Sequence, residues 1–314
     1  MKHQHQKPMK HLRILIPLIT LSFVLAACSS DDDDQQPSGG NTVVNNNKND
    51  ASVQPELARL EFPKVKGGNS EVIIHSTKDY GMTYALEWDH NKKAQRWTCF
   101  EINAKNRVKN WSRKQWESTS WGGDPFQLDP KVPINEQPPV YNEFSKSYYP
   151  GTTNVYYQRG HICASEDRVY SKEANEQTFY MTNMMPQIGK LNEKIWMKME
   201  ERVRSWGTQN DTLYICKGGT IDDSFNIIGY TKSGFIVPRY FFMALLAKNQ
   251  YGYKAIAFIA EHLNEDHSKD NLADYVYSID DLEKFTGIDF FCNLPDDIEE
   301  RVESNVAPNA WGFK

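Results

Sequence analysis

One histidine of the chain stands in a sequence context that favours proton-transfer chemistry. His161 follows Gln158, Arg159 and Gly160 at the end of a strand-like run rich in aromatic residues. An imidazole can deprotonate water near neutral pH, and a glycine lets the backbone approach a ligand closely. Taken alone, an Arg-Gly-His triplet is more typical of a structural histidine than of a catalytic one.

A helical pattern downstream adds polar groups that suit a hydrated metal ion. The apolar spacing predicts a helix over residues 190–206, with Trp196 and Met199 in its buried stripe. Asn192, Trp196 and Glu200 share one face, and the Cα atoms of Asn192 and Glu200 would lie about 12 Å apart. Because both cannot easily ligate one ion at that distance, we expect a carboxamide ligand and a glutamate that holds a metal-bound water. Such sparse, hydrated binding is tolerated by Mg²⁺.

The order and spacing of these groups over residues 157–206 resemble the DNA/RNA non-specific endonuclease family. The resemblance rests on Gln158-Arg159-Gly160-His161, on Thr182-Asn183-Met184-Met185-Pro186-Gln187, and on Leu191-Asn192 with Trp196 and Glu200. Weaker similarity extends to Arg96-Trp97, to Val237-Pro238 and to residues 282–291. The resemblance therefore covers essentially the whole chain from residue 58 to residue 314.

This resemblance implies the fold and the chemistry of a ββα-metal nuclease. The implied fold is α+β, with a central mixed or antiparallel sheet and flanking helices. The implied substrates are DNA and RNA, and the implied cofactor is Mg²⁺, with Mn²⁺ as the alternative. The implied site consists of His161 as general base, Asn192 as the direct metal ligand, Glu200 as the holder of a metal-bound water, Arg159 as a phosphate contact and Asn183 as a supporting polar group.

Gln158 departs from the family pattern, in which an aspartate usually begins the motif. A neutral amide removes a negative charge near the implied metal and His161, so we expect a lower rate and weaker metal binding. The glutamine at position 158 also allows a different function: the protein would be a surface lipoprotein that binds nucleic acid or glycan without catalysis. Retention of His161, Asn192 and Glu200 together favours the enzyme, since a pure binding protein has no need of them.

Basic residues are concentrated over residues 92–114, although the whole chain has a formal net charge of −5. Eight lysines and arginines stand in this segment against a single acid. The run, with Trp97 and Trp111 interleaved, is typical of either a solvated surface or a groove that follows a nucleic-acid backbone. Beside the nuclease-like motif we favour the groove. Arg113 best matches the family's upstream phosphate-binding arginine, and Arg107 is the alternative.

The N-terminal part of the chain has the features of an exported protein. Basic residues precede a mostly apolar run over residues 14–27, which is too short for a stable membrane span. The run ends in Leu25-Ala26-Ala27-Cys28, which resembles a bacterial lipobox. We therefore expect a signal peptide over residues 1–27 and lipidation of Cys28. A plain signal peptide with an incidental cysteine is the alternative.

Residues 28–57 are predicted to be a flexible acidic linker, because they contain too few apolar side chains to offset the entropy of ordering. The four aspartates at 31–34 either direct surface display or only solvate the tether. The expected location is the bacterial cell envelope, as an outer-membrane protein held by a lipid anchor, with or without surface exposure.

The remaining composition is that of one large globular domain, expected over residues 58–314. The chain has 314 residues, 39% of them hydrophobic and 25% charged, which excludes a collagen, a coiled coil and a polytopic membrane protein. The negative charge argues against a protein that coats nucleic acid by bulk charge alone. The sequence does not indicate an oligomeric state.

Strands are predicted at residues 71–75, 84–88, 97–102, 155–158, 178–182, 212–217, 240–247 and 255–259, and helices at 190–206, 279–286 and 297–304. Four cysteines of this domain lack zinc-ribbon spacing, so we expect small buried residues or at most one disulfide. They are Cys99, Cys163, Cys216 and Cys292.

Overall fold

The computed structural model describes residues 44–118 and 124–313. The compact unit begins at Val44, so the chain is packed before the predicted linker boundary at residue 57. Polar contacts hold this earlier segment in place: Asn45 donates hydrogen bonds to the carbonyl oxygens of Cys292 and Leu294. Hydropathy does not reveal contacts of this kind. The predicted signal peptide, Cys28 and the remainder of the predicted linker lie outside the described residues.

A seven-stranded sheet forms the centre of this unit. Its strands are β1 (Ser70–Thr77), β2 (Gly81–Asp89), β3 (Ala94–Asn103), β6 (Thr212–Gly219), β9 (Tyr240–Asn249), β10 (Gly252–Glu261) and β11 (Val276–Tyr277), which neighbour one another in that order. All neighbouring pairs are antiparallel. Two small ribbons lie outside the sheet: β4 (Tyr157–His161) with β5 (Met184–Ile188), and β7 (Ile227–Tyr230) with β8 (Ile236–Pro238).

Four α-helices are present in the described part of the chain: α1 (Lys172–Gln177), α2 (Met197–Gln209), α3 (Ile279–Thr286) and α4 (Asp296–Glu303). Helix α3 has the predicted bounds. It begins after Ser278, whose side chain accepts a hydrogen bond from Asp281 N at 3.0 Å, and it ends at Gly287 with a φ of 71°. Among these helices none has the length and apolar character needed to cross a membrane.

Both faces of the sheet are covered, and this explains the long apolar run of β9. Phe241 and Met243 belong to one buried cluster, whereas Phe242 and Ala244 belong to another, as the alternation of a strand requires. The first cluster also contains the apolar residues of β4, β5 and α2, and the second contains those of α3 and α4. The central sheet therefore separates the motif residues from the two C-terminal helices.

Two predicted elements differ from the structure. The predicted strand over 178–182 is wrong, because the chain curls there: Thr178 N–H bonds to Asn175 O and Asn183 N–H bonds to Tyr180 O, and β5 follows. The predicted helix over 190–206 begins with a π-helical turn, Leu191–Trp196, before α2. In a π-turn the hydrogen bonds span five residues rather than four, which rotates the side chains out of the register of a regular helix.

Candidate active site

The ribbon β4–β5 and the helical segment behind it position the sequence motif. In this ribbon Gln158 pairs with Gln187, and His161 pairs with Met184. A Cβ at Gly160 would overlap the side chain of Gln187, so the close packing of the ribbon requires glycine there. The reason for this glycine is contact with the neighbouring strand, rather than the approach of a ligand that the sequence suggested.

His161 packs against two aromatic rings, themselves in contact, that sequence reasoning missed. Its ring centroid is 5.6 Å from that of Phe126 and 5.2 Å from that of Phe179. Its Nε2 atom is buried and has no hydrogen-bond partner within the described residues. Burial lowers the pKa of His161 well below 6.5, and the positive charges of Arg113 and Arg159 lower it further. The imidazole is therefore neutral at neutral pH and able to accept a proton.

Asn192 lies in the π-helical turn and is tied to β4 by its side chain. Its Nδ2 atom donates a hydrogen bond to Oε1 of Gln158 at 2.8 Å. The Nε2 atom of Gln158 in turn donates to the carboxylate of Glu193. No donor among the described residues contacts Oδ1 of Asn192, which leaves this oxygen for a ligand. Trp196 and Met199 are buried in the apolar core, as predicted.

Glu200 is paired with a lysine that the sequence analysis did not identify. Its Oε1 accepts a hydrogen bond from Nζ of Lys217 at 3.0 Å, and the same Nζ lies 3.7 Å from Oδ2 of Asp167. Burial raises the pKa of Glu200, and the charge of Lys217 opposes that rise. Lys217 also contributes to the lowered pKa of His161. A lone charged residue in strand β6, directly after the apolar run Leu213–Cys216, was the signal available in the sequence.

Asn183 fixes the backbone beyond His161. Its Oδ1 accepts from Cys163 N at 2.9 Å, and its Nδ2 donates to the carbonyl oxygens of Cys163 and Thr178 at 2.9 and 2.7 Å. The side chain is fully buried. Because both ends of the carboxamide are occupied by backbone, the structure assigns Asn183 to positioning the end of β4, not to a contact with a metal or substrate.

Two of the predicted arginines line one open cleft of about 740 Å³. The guanidinium of Arg159 lies 3.6 Å from the centroid of the Phe126 ring, and that of Arg113 lies 5.2 Å from the centroid of Phe179. Burial and the charge of Arg159 lower the pKa of Arg113. Arg159 also contacts Asp124, with Nη1 3.3 Å from Oδ2. Both arginines lie close enough to His161 to lower its pKa, and the cleft is also lined by Lys114, Asp124 and Glu166.

Arg107 lies elsewhere. Its Nη1 donates to the carbonyl oxygens of Gly207 and Asn210 at 3.3 and 3.4 Å, at the C-terminal end of α2. A cation at a helix C-terminus satisfies carbonyls that the helix leaves unpaired. Of the two candidate upstream arginines, the structure thus brings Arg113 to the cleft and uses Arg107 as a helix cap.

The remaining basic segment does not form a continuous groove. Lys92 and Arg96 both pair with Asp222, and Lys109 pairs with Glu166. Of the eight basic residues in the segment, Arg113 and Lys114 line the cleft. Trp97 is buried in the sheet, which corrects its predicted place in a groove. Clustering along the sequence did not translate into clustering in space.

The four cysteines of the domain are free and buried, which fits the expectation of small core residues. Cys99 and Cys216 are paired in register across β3 and β6. Burial raises the pKa of both thiols well above 9.0, so these sulfurs are poor metal ligands.

Comparisons with known proteins indicate the family of the chain. A sequence model described as DNA/RNA non-specific endonuclease matches residues 68–297. A nuclease of Nostoc sp. (strain PCC 7120 / SAG 25.82 / UTEX 2576) is 29% identical over 231 residues, which cover 71% of this chain and 76% of that protein. The mitochondrial nuclease EXOG of Homo sapiens is 24% identical over 222 residues, 67% of this chain and 56% of EXOG. The chain therefore spans a little over half the length of that relative.

Among solved structures, the crystal structure of the EndoG/EndoGI complex contains a chain that matches with a TM-score of 0.56 at 18% identity. The match covers 73% of this chain and 89% of that one. It confirms the predicted α+β, ββα-metal nuclease fold. Since the family match extends over most of the chain, the protein belongs to the DNA/RNA non-specific endonuclease family.

Proposed function

We propose that this protein is a divalent-metal-dependent endonuclease that hydrolyses phosphodiester bonds in DNA and RNA. The observation that carries the proposal is the combination, on one short strand, of a half-buried His161 with a lowered pKa, of Arg159 in the cleft, and of Gln158 bound to Asn192. Family membership supports nuclease activity on nucleic acids, and it suggests a divalent metal. The assignment of roles to individual residues is our own inference.

The donor set suits a hard, hydrated cation. Oδ1 of Asn192 is available, and the neighbouring groups offer oxygen atoms rather than thiolates. Mg²⁺ and Mn²⁺ tolerate one carboxamide oxygen with the remaining positions filled by water. We therefore assign Asn192 as the direct ligand, with Glu200 as the candidate to hold a metal-bound water. When bound, the metal offsets the charge that develops on the phosphate and on the leaving oxygen.

The residues of this chain supply the other functions. His161 takes a proton from the attacking water, because its ring is unprotonated at neutral pH and its Nε2 atom has no hydrogen-bond partner within the described residues. Arg113 and Arg159 bind the phosphate from the cleft side. Phosphate contacts carry no base information, so low sequence specificity is expected.

The Phe126 and Phe179 rings hold this constellation in place. Phe126 contacts both Arg159 and His161, and Phe179 contacts both Arg113 and His161. Each ring thus links one phosphate-binding cation to the base. Packing of this kind keeps catalytic groups within the narrow geometric limits that catalysis requires.

The binding-only alternative rests on Gln158, which stands where the family usually has an aspartate. Purified protein incubated with plasmid DNA and with RNA, in Mg²⁺ and in chelator, separates the two functions. Cleavage of both substrates that stops with chelator supports the endonuclease. Retention of nucleic acid on the protein without cleavage in Mg²⁺ or Mn²⁺ supports the binding protein.

We also propose that the enzyme is exported and anchored to the outer membrane through Cys28, with residues 1–27 as the signal peptide. The support is the Leu-Ala-Ala-Cys sequence after an apolar run. Metabolic labelling with radioactive palmitate tests it: the label enters the native protein and is absent from a Cys28→Ala variant. Equal labelling of both proteins contradicts a lipid anchor at this residue.

A further inference from the structure

Three carboxylates from α3 and α4 meet on the sheet face opposite the motif. Asp280 and Glu283 stand one helical turn apart on α3, and Glu303 is the last residue of α4. One oxygen from each of the three lies within 4.8 Å of the others. The cluster therefore joins two helices that are otherwise linked by a loop.

The carboxylate of Glu303 lacks hydrogen-bond partners for one of its oxygens within the described residues. The residue is 6% exposed, and its Oε1 has no hydrogen-bond partner within the described residues. Leaving a buried acceptor unpaired destabilises the folded chain, and more so when the group is charged. Such a group, directed toward two other carboxylates, requires an explanation.

The surroundings do not supply a countercharge. No lysine or arginine in the described part of the chain forms an ion pair with Asp280, Glu283 or Glu303. One oxygen of Glu283 accepts a hydrogen bond from Phe290 N at 2.7 Å. The other charged groups that act on Glu303 are further acids, Glu299 and Asp289. The local charge is thus strongly negative and uncompensated by protein cations.

The spacing fits one central ion. Oxygen ligands of Ca²⁺ lie roughly 2.3 to 2.6 Å from the metal, so two ligands of the same ion are separated by at most about 5 Å. The observed limit of 4.8 Å among the three oxygens meets this condition. Asp280 and Glu283 are half-buried, which leaves room for waters to complete the coordination. Ca²⁺ accepts such irregular coordination, whereas Mg²⁺ demands a near-ideal octahedron.

We propose that Asp280, Glu283 and Glu303 form a structural Ca²⁺ site that fastens α3 to α4. The site is separate from the proposed catalytic metal, because Asn192 belongs to the opposite side of the sheet. Its expected effect is on stability: a cation that binds the folded chain and not the unfolded chain raises the melting temperature as its concentration rises above the Kd.

A shared proton is the competing explanation for the cluster. In the absence of a cation, burial and the neighbouring acids raise the pKa of Glu303 to about 10. A protonated Glu303 would relieve the repulsion without any metal. The two explanations differ in the Glu303→Gln variant, because an amide imitates the protonated acid and is a poorer Ca²⁺ ligand than a carboxylate.

The experiment uses the native chain after treatment with EDTA and dialysis. Melting temperature is recorded with and without 1 mM CaCl₂, and bound calcium is counted by equilibrium dialysis with ⁴⁵Ca. With concentrations near a hundred times Kd, we expect one bound ion and a rise of roughly 5 °C or more. Glu303→Gln and Asp280→Asn should both lose the bound ion and the thermal shift.

Two matched variants serve as controls. Glu300→Gln removes an exposed carboxylate from the same helix and should keep the full response to calcium. Asn192→Ala removes the proposed catalytic ligand and should keep it as well. The proposal is overturned if the native chain binds no calcium or if the thermal shift survives in Glu303→Gln. It is also overturned if the native chain does not respond to calcium and metal-free Glu303→Gln is more stable than it.

Discussion

Asn192 donates a hydrogen bond from Nδ2 to Oε1 of Gln158 at 2.8 Å, and the orientation of both amides is set by Glu193. A carboxylate can only accept, so the amide nitrogen of Gln158 must face Glu193 and its oxygen must face Asn192. Asn192 then has to present its nitrogen to Gln158 and its oxygen outward. The neutral side chain of Gln158 thereby orients Asn192, the proposed metal ligand. The carboxylate that orients Gln158 belongs to Glu193, the residue after Asn192.

This network predicts that Glu193 acts on metal binding through Gln158. Replacing Glu193 by alanine removes the acceptor that fixes the Gln158 amide, so Asn192 becomes less well oriented. Loss of such outer contacts typically costs 10- to 100-fold in metal affinity or activity. We expect the Mg²⁺ concentration for half-maximal cleavage to rise about tenfold, with the rate at saturating Mg²⁺ little changed.

Two variants separate orientation from charge in that titration. Glu193→Gln retains an acceptor oxygen and should recover part of the loss. Glu201→Ala removes an exposed acid from the neighbouring helix and should behave as the native protein. If the alanine variant at 193 had an unchanged Mg²⁺ requirement, the amide network would not bear on the metal.

A second prediction concerns the pH dependence of cleavage. The pKa of His161 is lowered well below 6.5 by burial, by Arg113 and by Arg159. A base with a lowered pKa remains unprotonated into mildly acidic solution, so the acidic limb of the kcat/KM profile should lie below pH 6.5. Arg113→Ala should move this limb to higher pH, whereas Arg107→Ala should leave it in place. An acidic limb above pH 6.5 in the native enzyme contradicts a base whose pKa is lowered in the folded chain.

The same histidine makes folding stability depend on pH. Its pKa is lower in the folded chain than in the unfolded chain, so the unfolded chain binds a proton first as pH falls. Its contribution to stability is fully present above the unfolded pKa and declines as pH falls toward the folded value. In chemical denaturation between pH 7 and pH 5, His161→Phe should lose less stability than the native chain. Equal slopes for the two proteins would show that His161 titrates alike in both states.

The cleft predicts how salt affects substrate binding. Arg113→Ala and Arg159→Ala should each weaken binding for all sequences and reduce the log–log salt slope by roughly one unit. Arg107→Ala, which removes a helix cap instead, should keep the slope and lower the melting temperature. Fluorescence anisotropy with a labelled duplex, in EDTA to prevent cleavage, measures all three. Slopes that fall for Arg107 and not for Arg113 or Arg159 would place the substrate on another surface.

Asn192 and Glu200 differ in the damage expected from their loss. Asn192→Ala deletes the proposed direct ligand and should abolish metal-dependent cleavage without affecting stability. Glu200→Ala leaves Lys217 buried beside only the more distant Asp167, and breaking a buried ion pair costs about 3 to 5 kcal/mol. Glu200→Gln should recover part of that free energy, because its amide oxygen can still accept from Lys217. Denaturant unfolding and Mg²⁺ titration together check the contrast.

The sequence was informative about the motif and much less so about its surroundings. His161, Arg159, Asn192 and Glu200 could be singled out as candidates because their spacing is local and resembles the family pattern, and their roles stay predictions. The bounds of α3 were predictable because Ser278 and Gly287 are local start and stop signals.

The surroundings depend on long-range contacts, which local patterns do not contain. Phe126 and Phe179 come from separate segments and meet only around His161, and Lys217 reaches Glu200 from the central sheet. The predicted groove along the basic segment was wrong because Lys92 and Arg96 form ion pairs with Asp222, which lies far along the chain. The π-helical turn at Asn192 was missed because its apolar spacing is close to that of an ordinary helix.

Cleavage of a closed circular plasmid and of a structured RNA by the purified protein tests the central claim most directly. The account predicts that both substrates are cut in Mg²⁺, that EDTA stops the reaction, and that His161→Ala lowers the rate by about 10²- to 10⁴-fold while binding to a duplex in EDTA is retained. Near-native cleavage by a folded His161→Ala protein, or cleavage by the native protein that continues in EDTA, would contradict it.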